Sequence, residues 1–430
     1  MKDFETLGLV PDLLTSLSEA GLETPTPIQA KAIPLALSGR DVMGLAQTGT
    51  GKTLAFGLPL IQQLTGTGRP RPKTVKALVL APTRELVNQI ADNLRVHTKG
   101  TKLKVSTVVG GQSINRQVAM LERGADILVA TPGRLIDLMD RGAVDLSTAR
   151  YLVLDEADQM LDMGFIHALR RIAPELGTPR QTMLFSATMP SQMDELSRAY
   201  LDDPVRVQVT PPGKAADKVT QEVHFVEQSD KPAKLREILD SEPGALTLVF
   251  ARTKHGAERL MKGLVADGYD AASIHGNKSQ GQRDRAIAAF RQGTVPILVA
   301  TDVAARGIDI PGVAFVVNYD LPNVPEAYVH RIGRTARAGR EGTAVAFCSS
   351  EETGLLRDIE KVMKIEIPVA SGEMFKGPLQ RPKMGGGKRG GGRPQGQKPK
   401  GQKPRGAAPK GPSKSAKRPQ QRHRVRRRAA

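Results

Sequence analysis

Short apolar runs rich in β-branched residues recur along the chain, and stretches with helical periodicity separate them. In the first half, the runs occupy residues 77–80, 105–109, 127–130, 151–154 and 182–185. In the second half, they occupy residues 247–250, 297–300, 314–317 and 343–347. Runs of this kind are typical of strands buried on both faces, as in parallel sheets covered by helices. The pattern therefore predicts two α/β domains.

A polar stretch rich in proline separates the two halves. It contains Pro204 and the sequence Pro211-Pro212-Gly213, which disfavours helices and strands. We expect a first domain over residues 1–208, a linker over 209–220 and a second domain over 221–370. A cleft between two such domains is a favoured place for a ligand.

The C-terminal segment over residues 371–430 differs from the rest in composition and charge. It contains 19 Lys or Arg and one acidic residue, so it carries +18 of the net charge of +19. Because Gly, Pro and Gln leave few apolar side chains to bury, we predict a disordered basic tail. Its charge favours sequence-independent attachment to nucleic-acid phosphates. A solubilising tail without a specific partner is the alternative.

Cysteine content and hydropathy indicate a cytoplasmic protein. The single cysteine, Cys348, follows an apolar run and cannot form an intramolecular disulfide, which fits a reducing compartment and a buried structural role. No apolar run approaches roughly 18 residues, the length that a membrane-spanning helix needs. Residues 1–10 lack the apolar core of a signal peptide. We expect a soluble cytoplasmic protein, with a monomer as the default oligomeric state.

A glycine-rich segment follows an apolar strand at 42–45 and precedes a helical stretch. Glycines let backbone N–H groups wrap around phosphates at a helix N-terminus. In this interpretation, Lys52 reaches the β and γ phosphates of a nucleotide, and the Thr53 hydroxyl binds Mg²⁺. The alternative is a simple glycine turn, which the strand–loop–helix order and the Gly51-Lys52-Thr53 ending disfavour. The candidate phosphate loop consists of Ala46, Gln47, Thr48, Gly49, Thr50, Gly51, Lys52 and Thr53.

An acidic segment, Asp155-Glu156-Ala157-Asp158, directly follows the apolar run at 151–154. Carboxylates at the C-terminal end of a parallel strand lie beside the phosphate loop of a nearby strand. We expect Asp155 to hold Mg²⁺ and Glu156 to activate the attacking water. An acidic helix N-terminus is the alternative, and the presence of Lys52 favours the catalytic interpretation.

An arginine-rich segment in the second half contains His330, Arg334 and Arg337. The two last-named residues are three apart, so they share one face if the segment is helical. Presented across a cleft to a nucleotide, they would stabilise charge on the γ-phosphate in the transition state. A solvated helix face is the alternative for an arginine-rich segment taken alone.

The order of these segments over residues 4–350 resembles the DEAD-box RNA helicases. The sequence Pro25-Thr26-Pro27-Ile28-Gln29 is similar to the family's adenine-recognition motif. Gln280 and Arg283 match a further family motif. The sequences at residues 163–165 and 275–278 resemble those of the RhlE-like bacterial branch. The resemblance implies two tandem RecA-like domains.

The resemblance also assigns roles to individual residues. It implies that Phe4 stacks on adenine and Gln29 reads its edge, and that Gly307 and Asp309 contact the nucleotide and its ribose. It implies coupling of hydrolysis to duplex opening through Asp158, Ser186, Thr188 and His330. The implied RNA contacts are Pro82, Thr83, Arg84, Gly110, Gly111, Thr131, Arg134, Arg252 and Thr301.

The implied function is an ATP-dependent RNA helicase with Mg²⁺ as its metal. Because the catalytic residues are split between two domains, hydrolysis should require closure around ATP and RNA. Opening of short duplexes with little sequence preference is expected, since family contacts are to phosphate and 2′-hydroxyl groups. A DNA-translocating motor and a non-enzymatic RNA chaperone are the rival hypotheses; Gln29 and the acidic segment argue against the first, and the intact set of catalytic residues argues against the second.

Overall fold

The computed structural model describes residues 3–46, 49–189, 192–209, 219–305, 310, 312–336 and 341–375. Most of the predicted linker (210–218) and most of the predicted tail (376–430) lie outside these residues. The helices of the first half are α1 (Pro11–Glu19), α2 (Pro27–Leu37), α3 (Lys52–Leu64), α4 (Arg84–His97), α5 (Ile114–Leu121), α6 (Pro132–Asp140), α7 (Ala157–Asp162), α8 (Ile166–Ile172) and α9 (Met193–Tyr200).

The first half forms one parallel sheet. Its strands are β1 (Val42–Leu45), β2 (Val75–Leu80), β3 (Val105–Val108), β4 (Ala125–Ala130), β5 (Tyr151–Leu154), β6 (Gln181–Ser186) and β7 (Val205–Gln208). They lie in the order β3-β4-β2-β5-β6-β1-β7, and every pair is parallel. This confirms the predicted fold class for this half.

The second half forms a second parallel sheet. Its strands are β8 (Val219–Phe225), β9 (Thr247–Phe250), β10 (Ala271–Ile274), β11 (Ile297–Ala300), β12 (Phe315–Asn318), β13 (Gly342–Cys348) and β14 (Val369–Ser371). The order β10-β11-β9-β12-β13-β8-β14 repeats that of the first sheet strand for strand. The helices of this half are α10 (Lys231–Ser241), α11 (Lys254–Ala266), α12 (Gln280–Arg291), α13 (Asp302–Ala305), α14 (Pro325–Ile332) and α15 (Thr353–Met363).

Two features differ from the predicted domain limits. Strand β8 begins at Val219, inside the range predicted as a linker, and β14 ends at Ser371, one residue beyond the predicted second domain. Both strands pair within the second sheet. The domain limits as a whole stay a prediction.

The strands are apolar because helices cover both faces of each sheet. In β4, Ile127 and Val129 pack into one core cluster, while Leu128 and Ala130 pack into the cluster on the other face. The side chains of a strand alternate between faces, so a continuous apolar run fills both cores. This arrangement leaves the C-terminal edge of each sheet as the place where loops carry polar residues.

Candidate active site and nucleic-acid cleft

The glycine-rich segment connects β1 to α3, as predicted. Gly49 and Gly51 have φ angles of 86° and 89°, a region that favours glycine. A Cβ atom on Gly51 would lie 2.5 Å from Nε2 of Gln29, so a larger residue would also clash with the adenine-motif glutamine. Ala46 is buried at the end of β1 and Thr53 lies in the first turn of α3. Gln47 and Thr48 lie outside the described residues.

Lys52 is the first residue of α3 and its side chain is 5% exposed. Its Nζ atom lies 3.8 Å from Oδ1 of Asp155, and among the described residues Nζ has no hydrogen-bond partner. A buried ammonium group without hydrogen bonds is costly. Its three N–H donors are therefore available to a polar ligand, because the described part of the chain supplies no hydrogen-bond acceptor for them.

Asp155 and Glu156 follow β5, and both are 2% exposed. Because β5 and β1 flank β6, the acidic pair and Lys52 meet at the same C-terminal edge of the sheet, as predicted. Burial raises the pKa of Asp155 to about 6, against the opposing effect of the Lys52 ammonium. Glu156 has φ 53° and ψ 50°, a left-handed conformation that is strained for a glutamate. Residues with such backbone strain cluster at active sites, ligand clamps and switch regions.

The adenine-motif glutamine is tied to the phosphate loop. Oε1 of Gln29 accepts from Thr26 N at 2.8 Å, and Nε2 donates to Gly51 O at 3.0 Å. A carboxamide has four hydrogen-bonding positions, so one N–H and one lone pair are left for the edge of a base. Phe4 is 5% exposed and packs in the hydrophobic core, and its stacking on adenine stays a prediction.

Asp158 lies among the other residues predicted to couple hydrolysis to strand opening. Its Oδ2 atom accepts from both N and Oγ1 of Thr188 at 2.8 Å. It also lies 3.8 Å from Nε2 of His330, which belongs to α14 of the second half. Ser186 donates to Thr188 O at 2.6 Å. The structure thus brings all four predicted coupling residues together, although their role stays a prediction.

Helix α14 of the second half and the turn after it lie near the C-terminal edge of the first sheet, where His330 approaches Asp158. Arg334 is buried, as is Arg331, a residue that the sequence analysis did not select. The Arg331 guanidinium forms a bidentate ion pair with Asp302 at 2.5 and 2.7 Å and lies over the ring of Phe250. The signal for Arg331 was its place between His330 and Arg334. Arg337, Gly307 and Asp309, predicted as catalytic and nucleotide-binding residues, lie outside the described residues.

A cleft of about 510 Å³ contains most of the predicted RNA contacts. Arg84 lies close to Gly110 and Gly111, and a Cβ atom on Gly111 would overlap its guanidinium. The φ of 76° favours glycine there, and a side chain at this position would also displace the Arg84 guanidinium. The cleft is lined by Pro82, Thr83, Arg84, Glu85, Gly110, Thr131, Gly133, Arg134, Asp137, Met163, Phe165, Arg283 and Val303.

Polar contacts cross from this cleft to the second half. Nη1 of Arg84 donates to Oε1 of Gln280 at 3.1 Å, and Nε2 of Gln280 donates to Glu85 at 3.1 Å. Arg283 forms an ion pair with Glu85 at 3.1 Å. The two halves therefore meet through α4 and α12, close to the predicted RNA contacts.

Two further RNA candidates, Thr301 and Arg252, are not among the residues that line this cleft. Thr301 is buried at the end of β11 and precedes α13. The guanidinium of Arg252 forms an ion pair with the buried Glu352 and donates to Leu321 O at 3.4 Å. Part of its donor capacity is therefore used inside the second half, and the RNA role of both residues stays a prediction.

Comparison with known proteins agrees with this geometry. Residues 26–196 match the model of the DEAD/DEAH box helicase family, and residues 230–339 match the helicase conserved C-terminal domain. The chain is similar to Dbp5 of S. cerevisiae, solved bound to RNA and ADP BeF3, at 32% identity over 86% of this chain and 96% of that one, with a TM-score of 0.76. The chain belongs to the DEAD/DEAH box helicase family. As a member, it is an ATP-dependent RNA helicase.

Two other solved structures support the assignment. Mss116p, bound to ssRNA and AMP-PNP, is 29% identical over 86% of this chain and 78% of that one, with a TM-score of 0.78. A DEAD box protein from Methanococcus jannaschii is 37% identical over 85% of this chain and 98% of that one, with a TM-score of 0.51. Within the described ranges of this helicase, no helix has both the length and the apolar character needed to span a membrane.

Proposed function

We propose that this helicase binds ATP at the loop before Lys52 and uses its hydrolysis to open short RNA duplexes at the cleft beside Arg84. The observation that carries the proposal is Lys52. Its buried Nζ has no hydrogen-bond partner among the described residues and lies 3.8 Å from Asp155. Phosphate oxygens of a nucleotide would satisfy its donors at a helix N-terminus that favours anions.

The residues at this edge also fit a magnesium ion. No group of three or more His, Cys, Asp or Glu side chains that could hold a metal ion occurs within the described residues. Mg²⁺ keeps several waters and uses one or two protein oxygens together with substrate phosphates. Thr53 and Asp155 are the oxygen donors that would hold it, and it would neutralise charge on the β and γ phosphates.

We assign the proton transfer to Glu156. Its left-handed backbone and burial beside Asp155 hold the carboxylate in one orientation, where it would position and deprotonate the attacking water. Arg334, and Arg337 from the same segment, would stabilise the charge that develops on the γ-phosphate. Because these arginines belong to the second half, hydrolysis would depend on the mutual position of the halves.

The contacts of Asp158 suggest how the nucleotide and the RNA communicate. The carboxylate holds the 187–188 backbone on one side and faces His330 of the second half on the other. Loss of phosphate near Glu156, two residues away, would change this contact and loosen the halves. Dbp5 and Mss116p were both solved with RNA, and we infer RNA as the partner of the cleft here. Contacts through Arg84, Arg134 and backbone N–H groups favour phosphate recognition with little sequence preference.

Finer assignments belong to the same proposal. We place the chain in the RhlE-like bacterial branch because of its sequence at residues 163–165 and 275–278. We place it in the cytoplasm because of its composition. Residues 1–208 and 221–370 are proposed as the two domains. A monomer suffices for all the roles above.

Substitution of Glu156 by Gln tests the catalytic assignment. The change removes the base while keeping the size and most of the polarity of the side chain. RNA-stimulated phosphate release should fall by at least about a hundredfold, whereas binding of ATP and of a fluorescent single-stranded RNA should persist. Glu175→Gln, at an exposed carboxylate of the same half, is the matched control. Normal turnover in Glu156→Gln would refute the assignment.

Deletion of residues 376–430 tests the proposed tethering role of the basic tail. Removal of its positive charge should weaken RNA affinity and flatten the dependence of affinity on salt concentration. The maximal RNA-stimulated ATPase rate should survive, since the catalytic residues remain. An unchanged salt slope would leave the tail as a solubilising segment.

A further inference from the structure

Gln117 is a buried carboxamide that no proposed role above uses. It lies in α5 and is 5% exposed. Its Nε2 atom donates to the carbonyl of Val109 at 2.9 Å, and its Oε1 atom accepts from Nη1 of Arg134 at 3.2 Å. One side chain thus joins the loop that contains Gly110 and Gly111 to the arginine on the neighbouring helix α6.

Arg134 holds the other end of the same loop. Its Nη1 atom also donates to the carbonyl of Gln112 at 3.0 Å. Both protons of Nη1 are then used, and Nε lies 3.6 Å from Oδ2 of Asp137 in the next turn of α6. Gln117 and Arg134 together hold the carbonyls of residues 109 and 112, on either side of the two glycines.

This arrangement fixes the direction of a backbone donor. In a trans peptide, the C=O and N–H groups point in opposite directions. Because the Val109 carbonyl is directed at Gln117, the N–H group of Gly110 points away from Gln117. Gly110 and Arg134 both line the 510 Å³ cleft, where N–H and guanidinium groups are suitable donors to phosphate.

The second half contains a similar arrangement at the equivalent place. Helix α12 follows edge strand β10 as α5 follows edge strand β3, and both helices have a serine N-cap. The fourth residue is Arg283 in α12 and Gln117 in α5. Arg283 donates to the carbonyl of Ala304 in α13, which follows β11, at 3.3 Å. In both halves, this position thus reaches the helix that follows the adjacent strand.

We propose that Gln117 is a positioning residue of the RNA cleft: it sets the position of the Arg134 guanidinium relative to the Gly110 N–H group. The proposal rests on the proposed function, in which this cleft binds RNA. Gln117 itself does not contact RNA. Its removal should weaken RNA binding while leaving the nucleotide site, on the other side of β4 and β2, unchanged.

The test is Gln117→Met in the full chain, which keeps the volume of the side chain and removes both hydrogen bonds. Two bonds worth about 1 kcal/mol each predict a roughly three- to thirtyfold higher KM for a 12-nucleotide single-stranded RNA. The KM for ATP and the maximal rate at saturating RNA should stay unchanged. Gln117→Glu, a second variant in case the first does not fold, cannot donate to Val109 and should also raise the KM for RNA.

Gln181→Met is the matched control. Gln181 is also buried and donates to two backbone carbonyls, Ala36 O at 2.7 Å and Arg40 O at 2.8 Å. It begins β6, at the opposite end of the strands from the cleft. The control should lose a comparable amount of stability and keep the KM for RNA. An equal rise in KM for both variants would mean general loosening and would overturn the proposal.

Arg134→Met separates this inference from the proposed function. If Arg134→Met raises the KM for RNA and Gln117→Met does not, the positioning role is wrong and the RNA cleft stands. If neither variant changes it, the cleft does not bind RNA and both are wrong. In the double variant, the effects should be less than additive, because Gln117 acts through Arg134; full additivity would contradict the inference.

Discussion

The two halves of this helicase repeat one strand order, and in each half a buried lysine begins the helix after the equivalent strand. Lys52 begins α3 after β1, and Lys231 begins α10 after β8. The Nζ atom of Lys52 has an ion pair at 3.8 Å and no hydrogen bond among the described residues. Lys231, which is fully buried, donates to Tyr319 O at 2.8 Å and to Glu352 at 2.6 Å.

The loops before the two lysines also differ, and the difference matches that between the lysines. The first contains Gly49 and Gly51 with positive φ angles, which let a backbone wrap around an anion. The second, residues 226–230, contains no glycine and includes Glu227 and Asp230. In the second half, a carboxylate of the protein holds the lysine. The same topology therefore supports a ligand site where the lysine lacks hydrogen-bond partners among the described residues, and a structural ion pair where it has them.

Lys52→Met should have the largest effect on activity. The charge that would meet the γ-phosphate is lost, so RNA-stimulated phosphate release should fall by about a hundredfold or more. The free energy of unfolding should fall less than for removal of Lys231, because among the described residues the Lys52 ammonium has no hydrogen bond to lose and only an ion pair with Asp155 at 3.8 Å. The measurement is turnover at saturating RNA together with urea unfolding. A large loss of stability would show that Lys52 is as structural as its counterpart.

Lys231→Met should give the opposite result. Removal of one partner from a buried ion pair leaves Glu352 less well compensated, and we expect a loss of about 3 kcal/mol. Turnover per folded molecule should be unchanged. Urea unfolding can be followed by tyrosine fluorescence, since the chain has no Trp and the second half contains Tyr269, Tyr319 and Tyr328.

The control for Lys231→Met is the double variant with Glu352→Gln. It removes the carboxylate that the single variant leaves without its lysine, so part of the lost stability should return. No recovery would mean that packing around Lys231, or the ion pair of Glu352 with Arg252, accounts for the cost rather than the charge of Lys231.

The sequence predicted the interior strands well and most edge strands poorly. Runs such as 127–130 and 247–250 lie within β4 and β9, because strands buried on both faces are apolar throughout. Strands β7, β10 and β14 were not predicted, and each lies at the edge of a sheet. In β7, Arg206 and Gln208 alternate with valines, and β10 is Ala271-Ala272-Ser273-Ile274, so neither has a continuous run of β-branched apolar residues. Only β8, an interior strand, was missed for another reason: Gln221 and Glu222 interrupt its apolar pattern.

The candidate site likewise has features that the sequence predicts and features that it does not. Strand ends and glycines predicted the region of Lys52, Asp155 and Glu156, since parallel strands bring their C-terminal ends to one edge. Partners such as Gln117 with Arg134, or Lys231 with Glu352, could not be predicted. They join residues from different elements, and whether a buried polar side chain finds a partner depends on packing that periodicity does not contain.

Glu258→Gln should give a smaller, pH-dependent effect in the second half. The carboxylate accepts from Lys278 at 2.8 Å, His275 at 3.0 Å and Ser273 at 2.8 Å. The hydrogen bond from Lys278, followed by that from His275, lowers the pKa of Glu258 to about 2. A depressed pKa stabilises the fold above the unfolded value of 4.5 and loses this effect as pH falls through about 2.

We therefore expect Glu258→Gln to cost about 1 kcal/mol at pH 7, allowing for the partial exposure of the group. The deficit relative to wild type should shrink between pH 5 and pH 3 in urea unfolding. Gln117→Met, which alters the equivalent loop of the first half, should show a deficit independent of pH, because a carboxamide does not titrate. A pH-independent deficit for Glu258→Gln would contradict the ionic role.

The smallest effect concerns two equivalent helix caps. Thr83 and Thr253 precede α4 and α11, and their side chains accept from Leu86 N at 3.2 Å and from Gly256 N at 3.0 Å. Each substitution by Ala should cost about 1 kcal/mol, the usual value of such a cap. Substitution by Ser keeps the hydroxyl and removes one methyl group, so it should cost more at the buried Thr83 than at the exposed Thr253. Equal costs for the two serine variants would contradict this prediction, because they would show that burial of the threonine methyl group does not distinguish the two positions.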